Sequence, residues 1–293
     1  PDAEGGIPGA CDVPVRTPPT ETVCAALPAL PSGEACAATA GGPGLLVIAD
    51  VLRPGEILRG GQVFVDGTGF ISCVGCDCAA ATGASTAARL ECPEATLSPG
   101  LINTHEHLTF AQNLPYDATR ERYEHRHDWR RGQREHTRIA ADGSASTEQK
   151  IWGELRFVLG GVTSLNGSGE ADGFLRNLDR NANEGAPLTP VEYDTFPLGD
   201  SDGTFFATGC GYPDPRTAAD IESYPAYTPH IAEGIDVEAR NEFLCMRDGT
   251  TDLVTDRTAL IHGVGLLPSD IADISTEGAS LIWSPRSNVT LYG

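Results

Sequence analysis

His105 and His107 stand two positions apart at the end of an apolar stretch, Leu101-Ile102-Asn103, that follows Ser98-Pro99-Gly100. Side chains alternate along a strand, so residues i and i+2 project to the same side, and two imidazoles so placed can chelate one ion. Imidazole suits zinc or iron(II). Two hydrogen-bonded histidines capping a strand end are the bland alternative; the Pro-Gly and the apolar run favour ligation. A second pair, His125 and His127, sits in Glu124-His125-Arg126-His127-Asp128 with no apolar strand on either side. Charge runs are usually solvated faces. This one is expected in a loop after the first strand, where folding over a pocket would bring His127 to a substrate.

The elements that must position these groups alternate. Leu101-Ile102-Asn103 reads as a strand end, 149–159 as a helix with Trp152, Leu155, Val158 and Leu159 on one face, and 160–165 as the next strand. A strand ending at His230, a helix over 237–246, the strand Ala259-Leu260-Ile261-His262, a helix over 270–277 and a strand at Ser280–Trp283 follow. Repeated β-then-α units with histidines at strand ends predict a parallel α/β fold, a (β/α)8 TIM-type barrel with its chemistry at the C-terminal strand ends. Upstream, short strands around the turn Asp66-Gly67-Thr68-Gly69 predict a small β-sandwich. The expected division is an irregular Cys/Pro/Gly-rich arm over 1–43, the sandwich over 44–98 and the barrel over 99–293.

Ser98-Pro99-Gly100-Leu101-Ile102-Asn103-Thr104-His105-Glu106-His107 resembles the first-strand signature of the amidohydrolase superfamily, the group of deaminases, imidazolonepropionase and triazine hydrolases. Pro229-His230-Ile231-Ala232-Glu233 resembles its fifth-strand His-x-x-Glu, Ile261-His262-Gly263 its sixth-strand His, and Pro285-Arg286-Ser287-Asn288 its Pro-x-Ser-Asn after strand seven. The resemblance covers residues 45–293. It implies that His105, His107 and His230 hold one divalent metal ion, Zn2+ or else Fe2+, that lowers the pKa of water. It also implies that Glu233 shuttles the proton and that His262 assists catalysis. Asn288, with Trp283 where deaminases often carry a His, would face a small-molecule substrate. In binuclear relatives a strand-four Lys bridges two ions; the single Lys, Lys150, lies before strand two, and only Glu192 or Cys210 could replace it. The implied activity is hydrolysis of a non-peptide C–N bond in an amide, cyclic amide or amino-heterocycle. A binuclear hydrolase of dipeptides, lactones or phosphoesters and a catalytically degenerate binding barrel are the alternatives.

Composition narrows the partners. Forty-one acidic residues against 20 basic give a net charge of −21, a field that repels nucleic acid and anionic lipid. No apolar run approaches the length of a membrane span. Nine cysteines suit an oxidising compartment, and the start at Pro1 without a Met suits a mature secreted or periplasmic chain. Zinc at Cys73, Cys76, Cys78 and Cys92 would need a second knuckle, so disulfides are expected there. Pairs are expected inside 11–36 and 73–92 and between Cys210 and Cys245; the odd count leaves one thiol free or intermolecular. The strand near Trp283 is the seventh, so a companion chain carrying strand eight and its Asp ligand is expected, as in a processed heterodimer. An open barrel would otherwise expose two unpaired edges.

Overall fold

The computed structural model describes residues 18–116, 121–180, 189–248 and 252–293. The chain divides into two compact units, Pro1–Pro99 and Gly100–Gly293.

The first unit contains β1 (Thr20–Val23), β2 (Ala37–Thr39), β3 (Gly42–Arg53), β4 (Glu56–Val65), β5 (Ile71–Gly75) and β6 (Ala87–Leu97). They form one six-stranded sheet in the order β1-β4-β3-β6-β2, with β5 on the second half of β4. Among the described residues this unit holds one sheet, and the second sheet of the expected sandwich is not seen in it. Both faces of the single sheet carry apolar side chains. Leu46, Ile48 and Phe64 pack under the turns at Cys78 and Ala84, while Val51, Leu58 and Val63 pack on the other side with Cys24 and Leu97. The irregularity between Ala49 and Val51 separates the two clusters along β3.

The arm's later half joins this sheet, β1 lying parallel to β4 and β2 antiparallel to β6. Its cysteines consequently pair outward, Cys24 with Cys76 and Cys36 with Cys92, rather than within 11–36. A cysteine flanking an edge strand has the adjoining sheet, not the arm, within disulfide reach. Cys73–Cys78 and Cys210–Cys245 form as expected, leaving no thiolate in the 73–92 cluster for zinc. Cys11 lies outside the described residues. Thiol titration of the unfolded, unreduced protein is expected to find one group; seven or more would contradict these four bridges.

The second unit runs β7 (Leu101–His107), α1 (Arg126–Arg131), α2 (Thr147–Leu159), β8 (Val162–Ser168), β9 (Arg176–Asn177), β10 (Glu192–Asp194), α3 (Ala218–Ile221), β11 (Tyr227–Ile231), α4 (Val237–Met246), β12 (Ala259–His262), α5 (Pro268–Thr276) and β13 (Ser280–Ile282). The seven strands are parallel and fall into two sheets, β7-β8-β9 and β10-β11-β12-β13. The barrel is not closed. Between the short β9 and β10 regions a single backbone hydrogen bond, Val191 N–H to the Leu178 carbonyl, makes the join (2.8 Å), and among the described residues no strand pairs with the outer edges of β7 or β13. Across the interior, the Asn166 amide of β8 donates to the Thr228 hydroxyl of β11 (2.8 Å).

Local chemistry explains the helices. Ser146 and Gln149 form a capping box at the start of α2, Asp236 accepts from Ala239 N–H at the start of α4, and Pro268 opens α5 where its missing N–H costs nothing. Ile231, Phe243, Met246 and Leu260 form the core under β11 and β12. Gly167 is required where β8 meets β7: a side chain there would strike the Glu106 backbone, and its φ of 143° suits glycine. Among the described residues no helix is long and apolar enough to cross a membrane.

Candidate metal centre and its cavity

The histidines of β7 and β11 converge. The Nε2 atoms of His105 and His107 are 3.0 Å apart, those of His107 and His230 3.2 Å, and those of His230 and His105 3.0 Å. Tetrahedral ligation at 2.0–2.1 Å places nitrogens about 3.3–3.4 Å apart, so the triangle is close to the size a zinc ion needs.

Each ring is held by its other nitrogen. His230 Nδ1–H donates to the Asp194 carbonyl (3.0 Å), which fixes its tautomer and leaves the Nε2 lone pair facing inward. His105 Nδ1 meets the Ser284 hydroxyl (3.2 Å) and His107 Nδ1 the Tyr193 hydroxyl (3.1 Å), oxygens that can accept the same proton. Burial first, then neighbouring histidines, pushes the His105 pKa to about 2 and holds that of His230 far below the usual imidazole value. Burial likewise lowers His107 to about 4. Neutral imidazoles with converging lone pairs repel one another unless a cation lies between them, so the donor set fits a divalent ion.

Two further groups flank the triangle. His262 Nε2 lies 3.6 Å from a Glu233 oxygen, and Tyr292 O–H donates to the other Glu233 oxygen (2.9 Å) while accepting from Trp129 Nε1–H (2.8 Å). Asn288 Oδ1 accepts from His262 Nδ1–H (2.8 Å), so a neutral His262 turns its Nε2 lone pair to the site. Ala232 and His262 sit at φ of 51° and 77°, left-handed conformations that non-glycine residues adopt at a cost of order 1–3 kcal/mol. That strain falls on the two strand ends that present Glu233 and His262.

These groups line one cavity of about 1900 Å³, roughly twice an ordinary small-molecule site. His105, His107, His230, Glu233 and His262 all reach it. Asn288 is buried and orients His262 rather than lining the wall. Trp283 is 61% exposed and points away, its place taken by Ser284 and Pro285. His127 is fully buried and does not line the cavity.

The segment around His127 departs furthest from its sequence reading. His125, Arg126, His127 and Asp128 are at most 1% exposed, although a charge run is usually solvated. Pairing makes the difference: Arg126 bonds Asp200 and lies 3.2 Å from Glu242, His127 Nε2 lies 2.9 Å from Asp200, and Arg134 pairs with Asp128 at 2.6 Å. Glu192 and Cys210 are likewise occupied, by Arg216 (3.2 Å) and by the disulfide to Cys245. Among the described residues neither belongs to a group placed to hold an ion. Tyr193, Ser284, Tyr292 and the Asp194 carbonyl were not legible as site residues; only Ser284, beside the Pro-x-Ser-Asn element, carried a nearby signal.

No protein-family model and no curated protein matches the chain. Among solved structures, a variant triazine hydrolase is similar over 85% of this chain and 67% of its own, at 15% identity and a TM-score of 0.50. A triazine hydrolase from Arthrobacter aurescens matches at 14% identity and 0.46, over 85% of this chain and 67% of that one. An adenosine deaminase from Xanthomonas campestris with bound zinc matches at 16% and 0.44, over 86% and 65%. The chain spans about two thirds of the length of these structures. At such identity the first likeness shows the fold alone, that of the triazine hydrolase. Nothing in these comparisons supports a companion polypeptide.

Proposed function

We propose that this chain carries the active site of a metal-dependent hydrolase that cleaves a non-peptide C–N bond in a small amide, cyclic amide or amino-heterocycle. The observation that carries the proposal is the triangle of Nε2 atoms, 3.0–3.2 Å on a side, with Glu233 and His262 beside it. His105, His107 and His230 would hold one divalent ion, zinc by the all-imidazole donor set, with iron(II) the alternative. When bound, that ion supplies the acidity that makes water nucleophilic at neutral pH.

The protein's own groups do the rest. Glu233 takes a proton from the attacking water and returns it to the leaving nitrogen. Tyr292 and Trp129 fix the Glu233 carboxylate by one hydrogen-bond chain, so that its free oxygen faces the reacting atoms. His262, oriented by Asn288, steadies the water through its Nε2 lone pair. With Glu192 and Cys210 engaged elsewhere, a single ion is the reading favoured over a binuclear centre. The four disulfides support a secreted or periplasmic setting.

Dipicolinate treatment is expected to abolish turnover of a responsive amide or N-heterocycle, and one equivalent of zinc to restore it. Stoichiometric zinc without turnover across a broad amide panel would favour the binding-protein alternative. A milder test addresses the carboxylate's support. Tyr292→Phe is expected to lower kcat about three- to ten-fold with zinc content unchanged, since a single hydrogen bond contributes roughly 0.5–1.5 kcal/mol net. An unchanged kcat would remove Tyr292 from the mechanism.

A further inference from the structure

We propose that the substrate carries a carboxylate, anchored by Arg130 at the wall of the cavity. This rests on the reading of that cavity as a hydrolase active site and names the class of molecule it takes.

The protein holds 41 acidic residues against 20 basic ones, and among the described residues every buried or half-buried arginine of the cavity wall other than Arg130 has a carboxylate, as Arg126 has Asp200. Arg130 does lack one. It lines the cavity alongside His230 and Glu233, and among the described residues no acidic oxygen lies within ion-pair distance of it. Its contacts are all neutral. The guanidinium carbon lies 4.2 Å from the centre of the Phe196 ring, Nη1 donates to His127 Nδ1 (2.9 Å), and Nη2 reaches the Ser201 carbonyl at 3.5 Å. These fix the plane of the fork and leave further N–H donors unassigned. The nearby charge of Asp200 is already engaged by Arg126 and His127.

Burial, and then the neighbouring Arg126, pull the Arg130 pKa down to about 10, and the more distant carboxylates of Glu233 and Asp200 offset only part of that cost. A carboxylate from the substrate relieves that cost and matches the guanidinium fork in two parallel hydrogen bonds. Arg138 and Arg286 also line the cavity, but both are exposed, where water screens them. Around these cations the wall is largely aromatic and aliphatic, with Phe110, Trp129 and Phe196 among the lining residues. The global negative charge slows the approach of anions, whereas this local cation decides which bound molecule is kept.

Phenylacetate and phenylacetamide, alike in shape and differing in charge, test the proposal by calorimetric titration of the zinc-loaded protein. Phenylacetate is expected to bind at least ten-fold more tightly. The preference should fall to less than two-fold in Arg130→Gln, survive in part in Arg130→Lys, and change less than three-fold in Arg138→Gln and Arg286→Gln. Equal binding of the two probes overturns the proposal. So does a preference that persists in Arg130→Gln, which would place the anion at the metal. Zinc content, measured on each sample, separates the two readings: selective binding lost with Arg130 in a protein that takes up no zinc would sustain the anion site and refute the metal centre.

Discussion

The His105→Ala/His107→Ala double variant is expected to fall from about one zinc per chain to less than a tenth, with hydrolysis lost. Glu233→Gln is expected to keep its zinc and lose turnover by about 10²–10⁴, the range general acid–base catalysis commands. The contrast follows from position. Two of the three nitrogens of the triangle vanish in the first variant, whereas the second leaves the triangle intact and removes only a carboxylate that His262 and Tyr292 flank. Metal analysis and activity on the same preparations check both halves. A double variant with a full metal complement, or a Glu233→Gln protein that turns over normally, would show that the wrong residues have been assigned.

Arg126→Met is expected to cost about 3–5 kcal/mol, because it leaves the buried carboxylates of Asp200 and Glu242 without their cation. For a unit of this size that corresponds to a fall in Tm of about 10 °C. Adding Asp200→Asn should recover part of the loss, since a neutral amide needs no counter-charge. The same network gives an acid limit. In the fold the Asp200 carboxyl lies near 2, held down chiefly by Arg126 and then His127 against the burial that would raise it. Its value is lower folded than unfolded, so its stabilisation is complete above about pH 4 and is lost as pH falls towards 2. Asp200→Asn should flatten the stability profile in that window. Thermal unfolding followed by circular dichroism reads all of this; an Arg126→Met Tm within 2 °C of the parent would mean that the network is not what holds this segment.

What could be read in advance was what repeats. The alternation of apolar runs and helical stretches located β7, β8, β11, β12 and β13, and α4 matches its expected span because Asp236 caps its start. His105 and His107 were legible because strand geometry alone pairs positions i and i+2. His230, Glu233 and His262 needed the family resemblance, since nothing local distinguishes a ligand from a buried histidine. Other features depend on groups distant in sequence. The burial of His125–Asp128 is made possible by Asp200 and Glu242, some 70 to 120 positions away. The carbonyl that orients His230 belongs to Asp194, whose side chain is turned to Arg216 instead. The arm's disulfides followed from strand pairing in the first unit rather than from cysteine spacing. The two-sheet division of the barrel strands reflects how short β9 and β10 are, which no periodicity reports.

X-ray absorption at the zinc edge of the metal-loaded protein tests the central assignment most directly. Three imidazoles on one ion predict a nitrogen/oxygen shell at about 2.0–2.1 Å with the outer-shell pattern of ring carbons. A sulfur shell near about 2.3 Å would instead place the metal on cysteines, and a spectrum without imidazole scattering would remove His105, His107 and His230 from the site altogether.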